Sequence, residues 1–160
     1  MQISTMSPAA KLRRDPALAD GPAASAWPPV RLRRALAKDA AAVWSLCREA
    51  ADMPAEAPLP LPLRETLFDT PCRGWAWLAE IDGQPVGMAV ASAGLSLPHG
   101  AYRLSLDGLY VRPVWRGRGL GARLKSHVQE MAQEMGCHEL RLPDGDVFPI
   151  STQAVASARA

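Results

Sequence analysis

The apolar and polar positions divide the chain into segments of different period. In "VRLRRAL", Val30 to Leu36, apolar and basic residues alternate, which predicts an edge strand with one buried face. Lys38 to Ala51 changes to helical spacing, with Val43, Leu46, Cys47 and Ala50 on one stripe. The following "DMPAEAPLPLPLRE" is too proline-rich for regular structure before Leu63 to Phe68, and predicts a surface loop or short helix. Two apolar runs, Trp75 to Ile81 and Pro85 to Leu97, flank Asp82-Gly83, a strong hairpin signal. A further strand spans Ala101 to Pro113, and its internal Asp107-Gly108 fits either a second tight hairpin or a bulge in one long strand. Gly119 to Met135 predicts a helix whose apolar stripe is Leu120, Leu124, Val128, Met131 and Met135, with Gly136 as its stop. "HELRLP", His138 to Pro143, is the last alternating strand, and no internal repeat is present.

This order predicts an α/β (α+β) domain: a mixed, mostly antiparallel sheet with helices on its faces, from residue 30 to residue 160. Residues 1–29 are rich in alanine and proline without a sustained apolar period, and read as a disordered leader. No apolar segment follows Arg13-Arg14 to make a targeting signal.

Composition narrows the class without naming a function. The 160 residues are 48% hydrophobic and 21% charged, an ordinary globular balance, and a net charge of +2 is too small to argue for nucleic acid. Cys47, Cys72 and Cys137 are odd in number and lack CxxC spacing, which suits free thiols in a reducing compartment, hence the cytoplasm. The longest mostly apolar run, Val86 to Leu97, is shorter than the roughly 20 residues that span a bilayer, so no membrane partner is expected. His99, His127 and His138 have no metal-ligand spacing, and no metal is expected. Trp75 and Trp77 share one strand face and read as core.

The chemistry concentrates in "DGLYVRPVWRGRGLGARL", Asp107 to Leu124. A strand ends at Pro113, a loop of arginine and glycine follows, and a helix begins near Leu120, so unpaired backbone N–H groups converge at a helix start. Such a nest suits phosphate: glycines admit close approach, the helix dipole favours an anion, and arginines add charge-assisted hydrogen bonds. The spacing is neither a Rossmann fingerprint nor a Walker A loop, since Gly117, Gly119 and Gly121 alternate and no G-K-S/T occurs.

Arg116-Gly117-Arg118-Gly119-Leu120-Gly121, preceded by Leu109-Tyr110-Val111-Arg112-Pro113, closely resembles the R-x-x-G-x-G/A acetyl-CoA motif of the GNAT superfamily of N-acetyltransferases. The order of elements from Val30 to about Pro143 resembles that fold as well. The resemblance implies that the loop Arg116 to Gly121 holds the pyrophosphate of acetyl-CoA, while backbone groups of Leu109 and Val111 pair with the pantetheine arm. It also implies a bulge in this strand, which favours that reading of Asp107-Gly108. The Val111 N–H is then the group that polarises the thioester carbonyl. Asp107 lies where several members carry a carboxylate that serves as general base, and it equally suits a bulge aspartate bonded to backbone.

The chain departs from the family at its end. Members usually continue with N-x-x-A-x-x-x-Y, whose tyrosine protonates the leaving thiolate, and then two further strands. Here "STQAVASARA" puts Ser151 at the asparagine and Ala158 at the tyrosine when Ala154 matches the alanine, so the domain reads as truncated and without its last strands. An edge left open in this way would allow a homodimer. The expected function is transfer of an acetyl group from acetyl-CoA to a primary amine, of a small molecule rather than a protein. The alternatives are a CoA-binding domain without turnover and a basic nucleic-acid-binding module, the last disfavoured by the absence of interleaved aromatics.

Overall fold

The structure, a computed structural model, describes residues 27–150. The strands are β1 (Val30–Arg34), β2 (Gly74–Ile81), β3 (Gln84–Ser96), β4 (Ala101–Val111), β5 (Glu139–Arg141) and β6 (Val147–Pro149). The helices are α1 (Ala40–Ala50), α2 (Leu61–Leu67) and α3 (Leu120–Glu134). All strands join one sheet in chain order, antiparallel throughout except β4–β5, which is parallel. The expected fold class is therefore the observed one.

Period two decides which face each strand residue serves. On one face Trp77, Ala79, Ala89 and Leu104 are buried beneath α3, which contributes Leu120, Leu124, Val128 and Ala132. On the other face Ala76, Leu78 and Met88 pack against Val43 and Leu46 of α1 and Leu67 of α2. Trp75 is partly buried on the α3 face with Trp77. Asp82-Gly83 forms the β2–β3 turn, both residues at positive φ, the backbone that a tight right-twisted hairpin needs.

Several boundaries differ from those the pattern predicts. A 3-10 turn over Ala37–Asp39 precedes α1, and Ala50 at the end of that helix is exposed. Met135 follows the last residue of α3 and is 39% exposed, so the stripe closes with Ala132, one turn after Val128. The strand expected to be last is followed by another, β6, which returns antiparallel to β5. Its turn is held by Gly145 N–H donating to Leu142 O, Leu142 N–H to Asp146 O, and Asp146 N–H to Asp144 Oδ1. Residues 1–26 of the expected leader, and Ser151, Ala154 and Ala158, lie outside the described residues.

One ion network ties the start of α1 to the sheet. Arg33 donates in bidentate fashion to Asp39 at 2.7 and 2.8 Å, and to Glu80 Oε1 at 3.0 and 2.7 Å. Asp39 also accepts the Leu36 N–H at 2.8 Å. The Arg33 guanidinium, first of all through its hydrogen bonds, holds the Asp39 carboxyl down at about 2. That value lies below the unfolded one, so Asp39 contributes stability above about pH 4 and loses it as pH falls toward its folded value. Asp39→Asn should therefore lower unfolding free energy by about 2 kcal/mol at pH 7. Urea titrations at pH 7 and pH 2.5 should show the gap between variant and parent closing. A gap undiminished at low pH would mean that the charge of Asp39 is not what stabilises.

Candidate active site

A single extra residue in β4 shapes the candidate site. Gly108 pairs with Val90 of β3 while Leu106 pairs with Ala91, so Asp107 is a bulge within one continuous strand. Of the two readings of Asp107-Gly108, the structure takes the bulge. The inserted residue inverts the alternation beyond it. Leu104 and Leu106 face α3 before the bulge, whereas Val111 packs on that side after it and Tyr110 joins the α1 side.

The other edge of β4 opens at the same place. β4 pairs with β3 as far as Val111, but with β5 only from Arg103 to Ser105. Arg112 donates its N–H to Val86 O on the β3 side at 2.9 Å. By alternation, the peptide groups of Leu109 and Val111 turn toward the unpaired edge. An exposed strand edge of this kind offers donors and acceptors to an extended ligand.

The loop between β4 and α3 satisfies its early donors internally, Trp115 N–H on Arg112 O and Arg116 N–H on Pro113 O, but not those that follow. After a 3-10 turn over Pro113–Trp115, Gly117 and Gly119 take φ of 75° and 76°, backbone that favours glycine. The first bond of α3 is Arg123 N–H to Gly119 O at 3.0 Å, and the Gly119 cap supplies no side chain. The amides of residues 117–122 consequently donate to nothing among the described residues. The first turn of α3 holds no acidic residue, so its positive end is also uncompensated.

These parts meet in a cavity of about 260 Å³ lined by Leu109, Val111, Trp115, Arg116, Gly117 and Gly119, with Leu120 and Gly121 at the helix start. Within it Arg116 Nε donates to Val111 O at 2.8 Å, and its guanidinium lies 5.5 Å from the Tyr110 ring centroid. The remaining Arg116 nitrogens stay available for an anion. Arg118 points elsewhere, its guanidinium 3.3 Å from the Trp27 ring centroid. Asp107 is exposed at the bulge and lines neither this cavity nor the one on the opposite face.

That opposite cavity, about 410 Å³, lies against the C-terminal part of α1 and is lined by Ser45, Arg48, Glu49, Asp52, Met53 and Tyr110, with Ala55. Arg112, just past β4, fixes its wall by donating to both Glu49 oxygens at 2.9 and 2.7 Å and to Pro85 O at 2.9 Å. Chiefly through these hydrogen bonds, Arg112 lowers the pKa of the Glu49 carboxyl. Glu49, Trp27 and Trp115 escaped the sequence reading. Glu49 and Arg112 stand 63 residues apart with no local signal joining them, and Trp27 falls within the expected leader.

The arrangement offers a donor-lined edge for an extended amide chain beside a cationic nest for a pyrophosphate. Residues 35–157 match the acetyltransferase (GNAT) family, so the chain belongs to that family. An aminoglycoside N(6′)-acetyltransferase type 1 of Stenotrophomonas maltophilia is 34% identical over 113 residues, 68% of this chain and 71% of that protein. A thialysine N-epsilon-acetyltransferase of Bos taurus is 34% identical over 64 residues, and the match spans only 38% of each protein. The structure of AAC(6′)-Iy in complex with the bisubstrate analog CoA-S-monomethyl-acetylneamine shares the fold, with a TM-score of 0.60 at 22% identity over 78% of this chain and 83% of that one. Among the described residues no helix is long and apolar enough to cross a membrane, and no metal-binding cluster of three or more side chains occurs.

The loop backbone makes a separable stability prediction. A Cβ on Gly119 would meet nothing within 4 Å, so Gly119→Ala should lose only the backbone preference, about 1 kcal/mol in unfolding free energy. Gly121→Ala, inside the first helical turn with Leu109 Cδ2 at 4.0 Å, should not share that loss. Equal urea midpoints for the Gly119→Ala variant and the parent would contradict the left-handed cap.

Proposed function

We propose that this protein transfers an acetyl group from acetyl-CoA to a primary amine of a small molecule. The observation that carries the reading is the run of unpaired amides at residues 117–122, set beside the open edge of β4. Pyrophosphate satisfies donors of that kind, and the Arg116 guanidinium adds charge-assisted bonds. The pantetheine arm lies along β4, taking backbone hydrogen bonds from Leu109 and Val111. With Val111 O engaged by Arg116, the free Val111 N–H is the donor that polarises the thioester carbonyl. Support for the cosubstrate comes also from the CoA-based analog bound by the fold neighbour.

The acceptor occupies the cavity on the α1 face, where Asp52 and Glu49, the latter held by Arg112 from behind, line the wall and Tyr110 closes it. Carboxylates there suit a cationic amine, and the named relatives act on small amines, aminoglycosides and thialysine among them. Attack requires the neutral amine, whose ordinary pKa near 10 leaves little of it at neutral pH. Asp107, exposed at the bulge and outside that cavity, takes that proton through water. The tetrahedral adduct then collapses, breaking the C–S bond, and the departing CoA thiolate takes up the second proton that the amine nitrogen loses.

Calorimetric titration with acetyl-CoA, followed by thiol release over a panel of aminoglycosides and simple diamines, tests this function. Arg116→Ala should weaken acetyl-CoA binding about tenfold, the equivalent of one lost charge-assisted bond. Asp107→Asn should leave that affinity intact and lower kcat about 100-fold. Binding without thiol release on any amine would favour a CoA-binding domain without turnover. Absence of binding by the parent protein would refute the cosubstrate.

A further inference from the structure

Arg118 occupies an unusual place for an arginine of a phosphate-binding loop. Its guanidinium stacks 3.3 Å from the Trp27 ring centroid and 5.4 Å from that of Trp115. The two indoles meet edge to face with centroids 6.0 Å apart. Among the described residues Arg118 has no carboxylate partner and no hydrogen bond. Its position is therefore set by the two aromatic faces, which attract a cation through the ring quadrupole.

The position matters because of what flanks it. Arg118 lies between Gly117 and Gly119, both in the left-handed region and both with open space where a Cβ would stand. Neither glycine has a side chain to anchor, and glycine gives up more backbone freedom on ordering than any other residue. On one side the loop is tied by Arg116 to Val111 O, and on the other by Leu120, 4% exposed in the core. Between those ties, Arg118, held closest by Trp27 and farther off by Trp115, is the only side-chain anchor among the described residues.

We infer that Trp27 is a positioning residue for the CoA loop: by stacking on Arg118 it holds the amides of residues 117–122 convergent before the cosubstrate arrives, so the segment ahead of β1 tunes affinity for CoA. The inference rests on the proposed function for its ligand, but the pinning of the loop belongs to the free protein. Preorganisation of this kind raises affinity by removing an ordering cost from binding. Trp27 itself touches no part of the 260 Å³ cavity.

The test uses the full chain with Trp27→Ala, Trp27→Phe, Arg118→Ala and the double variant Trp27→Ala/Arg118→Ala. Two readouts are taken: the Kd for CoA by calorimetry, and hydrogen exchange of the loop amides without ligand. Trp27→Ala should weaken CoA binding about fivefold, the size of an exposed cation–π contact. The same variant should speed exchange at residues 117–122 while leaving β2 and β3 amides unchanged. Trp27→Phe, which keeps an aromatic face, should recover most of both effects, and the double variant should be no worse than Arg118→Ala alone. Unchanged loop exchange in Trp27→Ala would overturn the inference, whatever its affinity. Tighter CoA binding would overturn it too, since Trp27 would then be withholding Arg118 from the ligand. Should the parent chain bind no CoA, the proposed function fails, and the exchange measurement alone still decides whether Trp27 pins the loop.

Discussion

The inserted residue at Asp107 is the constraint from which the candidate site follows. A strand of uniform pleat would send Leu109 and Val111 to the α1 face and Tyr110 toward α3. With the bulge, Tyr110 walls the α1-side cavity, while Leu109 and Val111 line the cavity below the start of α3. The register against β3 survives beyond the bulge because the strands approach closely there. A Cβ on Gly87 would stand 2.9 Å from Tyr110 O, so only glycine admits that approach. β4 thus keeps one partner to its end and leaves the other after Ser105, where β5 itself ends at Arg141, so the free edge begins beside the bulge that sorts the side chains.

The two faces of the sheet are stabilised by different means. Beneath α3 the contacts are apolar, and each fully buried leucine there, Leu104, Leu124 or Leu140, contributes about 1.5–3 kcal/mol. α1 buries little more than Val43 and Leu46, and it is fastened at both ends by bidentate arginine pairs instead. Asp39 before its first turn meets Arg33, and Glu49 in its last turn meets Arg112. Such pairs add direction as well as attraction, because a planar guanidinium fits a carboxylate in one geometry. The Arg112 pair matters most for the site, since it joins the helix that borders one cavity to the strand that borders both.

How much of this the sequence disclosed depended on whether the cause was local. The Asp82-Gly83 hairpin, the stripe of α3 and the loop from Arg116 to Gly121 each follow from neighbours in the chain, and each was legible. Asp107-Gly108 was ambiguous for a physical reason: a tight turn and a bulge accept the same residues, and only the pairing with Val90 and Ala91 separates them. β6 escaped notice because three residues, Val147–Pro149, are too few to show a period. The end of the α3 stripe is not legible either, because Met135 continues the apolar spacing although the helix ends before it. Contacts between distant segments, Glu49 with Arg112 and Trp27 with Arg118, left no trace in local pattern.

The loop before α3 violates several rules that the rest of the chain obeys. Its helix cap has no side-chain acceptor, its first turn has no acid, and its amides point at no partner among the described residues. A segment built for stability would end in an extended Ser, Asp or Asn cap instead of a left-handed glycine and would carry an acid within the first turn, the acid contributing about 0.3–1 kcal/mol. Those changes would also fill or neutralise the nest. The stability forgone there is offset one turn later, where Leu120, Leu124 and Val128 anchor the helix in the core. Sequence consistency therefore breaks where a ligand could restore it, and the break falls on the same candidate site as the motif.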